Sequence, residues 1–275
     1  MDLNFLYQKD INQSLANYLK GKKVILVGPS KYLEKSGLGH WIDSFDVVIR
    51  QKNGFPVPKS QIQDLGTKTD LYYTNLKPAQ HNFSPEVYHE MAKLKMIVIP
   101  YPLSAPANYT EQGLFKTLKK AIKEVIQDIS RYIPGFNVPF KVDSNSNYFI
   151  LLERAMQTRP TTGMLTIMDI LQYPIKELHL TGFTFRHRLI ELQEKYLKGI
   201  KIDPEELRRE MGQVYAGSYK SEEQLRYAWD KTIKNNCHDI KKEFDFFLKI
   251  LNNDSRIHLD QTMSQIFSPH LKGFQ

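Results

Sequence analysis

Cysteine is nearly absent. Cys237 stands alone among 275 residues, so no internal disulfide can form and a reducing compartment suits the chain. No segment approaches the uninterrupted apolar length that spans a bilayer. The opening stretch MDLNFLYQKDINQSL has neither a basic start nor an apolar core. It therefore does not read as a signal peptide, and the expected location is cytoplasmic. No Asp-x-Asp pair occurs, so the clamp by which many nucleotide-sugar enzymes hold a metal and a diphosphate has no candidate. A P-loop, H-E-x-x-H and G-x-S-x-G are missing too, and Cys237 has no C-x-x-C partner for zinc. Neither a metal nor a cofactor is expected. His40, His81, His89, His179, His187, His258 and His270 are scattered and read as ordinary surface or core residues.

What remains is ordinary for a globular chain: 41% hydrophobic and 25% charged residues, with length for one large α/β domain. The formal net charge of +8 favours anionic partners such as nucleotides, acidic glycans, nucleic acid or a negative membrane surface. The basic residues are dispersed, and no nucleic-acid motif occurs, so nucleic acid is not an expected partner. Peripheral membrane contact through the basic surface stays open.

Short apolar runs punctuate the chain. Val24–Val27, Val47–Arg50, Leu71–Thr74, Met96–Pro100 and Glu177–Phe183 read as buried strands, with a further strand at Arg256–Leu259. Helical patterns lie between them. Ser84-Pro85-Glu86 places an N-cap before a proline at the first helical position. Leu114–Ile129 and Thr162–Leu171 carry apolar residues at helical spacing, and Asp203-Pro204-Glu205-Glu206 and Ser221 with Gln224 are further helix starts. Strands alternating with helices predict an α/β fold with a mostly parallel sheet, and no clear linker divides residues 1–275. The polar stretch 186–230, with its Gly217-Ser218 breaker, reads as a lid or helical insertion.

Three constellations carry chemistry. After the first strand comes a small-residue turn, Gly28-Pro29-Ser30, where a glycine admits close approach of a phosphate or nucleoside. Arg159-Pro160-Thr161-Thr162-Gly163 sets two hydroxyls and a glycine at a helix start, where free N–H groups and the dipole favour an anion. Cys237-His238-Asp239-Ile240 opens an amphipathic helix. His238 lies at or just before its N-terminus, which favours a neutral, proton-accepting imidazole. Glu243 is five positions on, roughly 140° round the helix, so the two side chains are not simple neighbours. Each signal alone also fits a bland cap or turn.

In order and spacing, these segments resemble the animal-type sialyltransferase family, defined by its L, S, III and VS sialylmotifs. The long motif is matched by the segment from Val24 to Asn75, with Gly39, Ile42-Asp43, Asp46, Arg50 and Asp64-Leu65-Gly66-Thr67-Lys68-Thr69 as its specific points. The short motif is matched from Arg159 to Phe183, and the final motif by His238 and Glu243. There are departures. Pro29, followed by Ser30, stands where the family often has asparagine; another family asparagine is displaced to Asn53; and Arg226–Asp230 fits motif III only at aromatic and acidic positions. Val24 and Ile175 occupy the positions of the cysteines that animal members bridge.

The resemblance implies a single Rossmann-like α/β/α domain of modified GT-A type over 1–275, and inverting, metal-independent transfer of sialic acid from CMP-sialic acid to a glycan or glycolipid acceptor. The alternatives are a CMP-Kdo donor with the same mechanism, or a catalytically degenerate nucleotide- or glycan-binding protein. His238 is the implied general base and Glu243 its organiser. Gly28, Ser30, Asn53, Asn75, Thr161, Thr162, Gly163 and Trp229 are the candidate donor contacts, Trp229 with Tyr227 as part of a lid. Asp43, Arg50, Asp64 and Lys68 read as structural ion pairs and turn formers.

Overall fold

The computed structural model describes residues 9–75, 84–102, 112–143, 146–211, 214, 221–234 and 238–271. In chain order the elements are α1 (Lys9–Leu19), β1 (Lys23–Val27), α2 (Gly39–Asp43), β2 (Val47–Gln51), α3 (Ile62–Leu65), β3 (Leu71–Tyr73), α4 (Pro85–Met91), β4 (Met96–Pro102), α5 (Gln112–Tyr132), β5 (Phe140–Asp143), α6 (Ser146–Met156) and α7 (Thr162–Ile170). They continue with β6 (Glu177–Thr181), α8 (His187–Leu197), α9 (Pro204–Met211), α10 (Glu222–Lys234), α11 (Ile240–Asn253), β7 (Ile257–Leu259) and α12 (Gln261–Leu271).

The strands form one seven-stranded sheet in the order β5-β4-β3-β2-β1-β6-β7. Every pairing is parallel. Helices cover both faces, which is why the strands read as unbroken apolar runs. Alternation divides β1 and β2 between the faces: Val24, Leu26, Val47 and Ile49 join the main core, while Ile25, Val27 and Val48 pack with Leu33, Ile42, Phe45 and Leu65 on the side of α2 and α3. Val24 and Ile175 are both buried in the main core.

The acidic and basic residues of the first 70 positions tie loops mainly to backbone. Asp64 accepts from the N–H groups of Lys35 and Gly37. Asp43 accepts from Thr67 N, Thr67 Oγ1 and Lys68 N. Lys68 Nζ donates to the carbonyls of Phe45 and Asp46, and Arg50, 0% exposed, donates to Leu65 O, Lys68 O and Thr69 Oγ1. The turn-forming reading therefore holds. Lys68 also forms an ion pair, 3.7 Å from Asp70.

The expected lid or insertion, 186–230, takes in α8, α9 and most of α10, whose Leu189, Leu192, Leu207, Leu225 and Trp229 share a small hydrophobic cluster. Gly217-Ser218 lies outside the described residues. No helix among the described residues is long and apolar enough to cross a membrane.

Candidate active site

β1 lies between β2 and β6, so the chain runs outward from it in one direction through β5 and then returns to its other side. Such a reversal opens a crevice beyond the carboxyl ends of the two central strands. Gly28 and Ser30 lie there. Gly28 N donates to Thr181 O and Ser30 N to Gly182 O, so the loops after β1 and β6 stay laced together. A Cβ on Gly28 would overlap the Gly182 carbonyl, which explains the glycine through backbone packing without a ligand. Asn53 is exposed in the turn after β2, and Asn75 is buried just past β3. The four residues line up along one edge of the sheet, as their places at strand ends require.

At the same edge α7 begins. Thr161 is its N-cap, accepting from Met164 N. Its remaining hydrogen-bonding capacity goes to Glu243: Thr161 Oγ1 donates to Oε1 at 2.5 Å and Thr161 N to Oε2 at 3.1 Å. The carboxylate expected from a ligand at Thr161 is thus supplied by the protein. The Thr162 hydroxyl lies 2.8 Å from the Tyr101 hydroxyl at the end of β4. That leaves the N–H groups of Thr162 and Gly163 as the open donors of this helix start.

Asp239 is the N-cap of α11, its side chain accepting from Lys242 N, so His238 sits just before the cap, two residues ahead of Ile240. Bonds at His238, Asp239 and Glu243 fasten this segment to the approach of α7. Asp239 N donates to Thr158 Oγ1 at 2.7 Å, His238 Nδ1 meets Arg159 O at 2.8 Å, and Glu243 holds Thr161. His238 and Glu243 do not touch through a hydrogen bond; both grip the same short strap, residues 158–161. A carbonyl only accepts, so Nδ1 carries the proton and Nε2 keeps its lone pair.

Burial first, and then the charges of Arg159, Arg186 and Lys52, hold the His238 pKa below its ordinary value, against the bond to the Arg159 carbonyl. The sequence argument for a neutral imidazole rested on the helix dipole; the structure adds desolvation and three cations. Glu243 is 6% exposed, and burial pushes its carboxyl up to about 7, against the bonds from Thr161 and the charge of Arg186. A proton acceptor beside several cations is suited to a reaction that binds an anionic donor and deprotonates a hydroxyl.

Trp229, expected at the donor, belongs to the helical cluster instead, 4% exposed and edge-on to Tyr196. Its large apolar ring is accounted for by packing. Sequence reasoning missed Lys52, Tyr101, Arg159 and Arg186 as individual contributors. One signal is backbone strain: among the described residues the non-glycine positive-φ positions are Lys35, Lys52, Gln157, Phe185 and Arg186, and all but Lys35 flank this site. Behind it, Phe185 stacks on Phe247 at 4.1 Å, and Phe183 limits the space over Gly163.

The family model described as "Glycosyltransferase family 29 (sialyltransferase)" matches residues 6–195. The chain belongs to this family. As a sialyltransferase-family member it is a CMP-sugar-dependent glycosyltransferase. No curated protein matches the sequence. Among solved structures, a mammalian sialyltransferase is 17% identical with a TM-score of 0.47, covering 94% of this chain and 82% of its own. CstII from Campylobacter jejuni, in complex with the substrate analogue cytidine-5'-monophosphate, is 18% identical with a TM-score of 0.38, covering 64% and 76%. CstII in complex with CMP-3FNeuAc is 14% identical with a TM-score of 0.42, covering 86% and 78%. The family match extends over the long and short motifs of this sialyltransferase chain and ends before His238.

Proposed function

We propose that this family-29 chain transfers sialic acid from CMP-sialic acid to a glycan hydroxyl, with inversion, and with His238 as general base. The observation that carries the reading is the His238–Arg159 bond, which commits the proton to Nδ1 and leaves Nε2 as the acceptor. In the step, Nε2 takes the acceptor O–H proton while the oxygen attacks the anomeric carbon. The bond from that carbon to the CMP phosphate breaks, and CMP leaves with the electron pair. A phosphate monoester is a stable leaving anion, so no divalent metal is needed at this centre. The transition state has oxocarbenium character, as in other glycosyl chemistry.

The N–H groups of Thr162 and Gly163, with Lys52, Arg159 and Arg186 nearby, suit the donor's carboxylate and phosphate. Ser30, Asn53 and Asn75 at the strand ends are the polar contacts for cytidine and ribose. Glu243 is a positioning residue: it fixes Thr161, and with it the strap that orients His238. The helical segment α8–α10 closes over the donor, and the basic surface makes peripheral contact with the membrane that carries a glycolipid acceptor. The location is cytoplasmic.

The test is CMP release, with galactosides and lipopolysaccharide-core sugars as acceptors and excess EDTA present. Release from CMP-Neu5Ac is expected. Release from CMP-Kdo alone would change the donor and keep the mechanism. Release only from a UDP- or GDP-sugar would overturn the CMP-donor reading, and activity restored by magnesium after EDTA would overturn metal independence.

A further inference from the structure

Three side chains gather away from the proposed catalytic centre. Glu177 and His179 are two apart on β6, so their side chains share one face of the sheet. His258 on β7 is the register partner of His179, which brings its side chain to the same face. Their candidate ligand atoms, two imidazole nitrogens and a carboxylate oxygen, all lie within 4.8 Å of one another. His179 is held between Phe45 at 4.7 Å and the His258 ring at 4.7 Å, so its orientation is set by packing. This face is that of α2; α7 packs into the core on the other.

We propose that Glu177, His179 and His258 form a binding site for a divalent transition metal, of the zinc or nickel class, that staples the edge strand β7 to β6. Two imidazoles and one carboxylate are a donor set of intermediate softness, which suits Zn²⁺, Co²⁺, Ni²⁺ or Cu²⁺ over Mg²⁺ or Ca²⁺. Ligands on a tetrahedral zinc stand roughly 3.3 Å apart, from bond lengths of about 2.0–2.1 Å. Metal binding therefore requires side-chain rotation and replaces the present hydrogen bond between His179 Nε2 and Glu177 Oε2, 2.9 Å long, with bonds to the ion. His258 is exposed, so water can complete the coordination sphere.

The bond with His179 comes first, followed by Lys23 and Lys176, in holding the Glu177 carboxyl down to about 2. Burial, then the charges of His258 and Lys23, holds His179 below its ordinary value, against the pull of Glu177. Lys23 Nζ lies 3.2 Å from Glu177 and opposes an incoming cation, but its side chain is 49% exposed and free to swing into solvent.

The staple has a structural target. β7 spans only Ile257–Leu259, and the next residue, Asp260, accepts from Tyr32 and Thr181 while Tyr32 accepts from Gly182 N. Fixing β7 therefore steadies the turn that floors the crevice.

The experiment is calorimetric titration of the untagged full chain with Zn²⁺ and, separately, Ni²⁺, together with thermal unfolding. One equivalent should bind, and Zn²⁺ should raise Tm. His258→Ala, at an exposed position that leaves the core intact, should weaken binding at least about tenfold and abolish the Tm rise, as expected when a ligand is lost. Glu177→Gln should weaken it in the same direction. His89→Ala, on the exposed side of α4, should bind like the parent. EDTA should lower the Tm of the zinc-loaded protein without lowering the initial rate of CMP release, which separates this site from the proposed reaction. Absence of saturable binding would overturn the proposal. So would His258→Ala binding as the parent does, or His89→Ala losing as much as His258→Ala.

Discussion

Replacing Glu243 by glutamine should remove a pH dependence of stability that the buried carboxyl imposes. In the fold its pKa is about 7 against an ordinary 4.5. Ionising Glu243 is therefore harder in the fold than in the unfolded chain. The stability it contributes is complete below pH 4.5 and is lost as pH rises through 7. At 1.36 kcal/mol per pH unit the total is about 3 kcal/mol, of which about 2.5 falls between pH 5 and pH 8. An amide preserves the shape: its carbonyl accepts from Thr161 N and its NH₂ donates to Thr161 Oγ1. Urea unfolding of the parent and Glu243→Gln at pH 5, 6, 7 and 8, followed by fluorescence, isolates the effect. All other titrating groups cancel in the difference. The parent should lose ground to the variant by about 2.5 kcal/mol across that range. A difference flat to within about 0.5 kcal/mol would refute the picture of a desolvated carboxyl held against the α7 start.

Other substitutions probe the frame around the site. Gly28→Ala should cost about 1–3 kcal/mol in urea unfolding, because the new methyl group meets the Gly182 backbone and neither loop has room to yield. Lys141→Met should cost up to about 3 kcal/mol, because the part-buried Asp169 carboxylate loses the cation held at 2.6 Å while keeping its bond from the Tyr73 hydroxyl, and Lys141→Met/Asp169→Leu should recover part of the loss. The acid limb of kcat/KM should fall below the ordinary imidazole pKa of about 6.5, since His238 is held low; a limb above that value would contradict the assignment.

The sheet was legible because its strands are buried on both faces. Runs such as Val24–Val27 and Met96–Pro100 have no other economical reading. β5 escaped because it lies at the sheet edge, where Phe140–Asp143 alternates with polar residues and follows Pro139. α12 was hidden by Pro269, which lies inside the helix, where a proline ordinarily argues against one. Local caps were also readable: Ser84, Thr161 and Ser221 each accept from the backbone N–H three residues on. Long-range partners were not. Nothing in the spacing of Thr161 and Glu243, 82 residues apart, says that one caps the other. The cross-strand grouping of His179 with His258 needs the register of β6 against β7, and short parallel strands leave no trace of register in sequence.

The central claim is that His238 removes the acceptor proton, and the direct measurement is turnover of His238→Ala beside CMP affinity. With CMP-Neu5Ac and a galactoside acceptor, kcat should fall by at least about a hundredfold while CMP binds the variant as tightly as the parent. Near-parental kcat in His238→Ala, with the fold intact, would contradict the account.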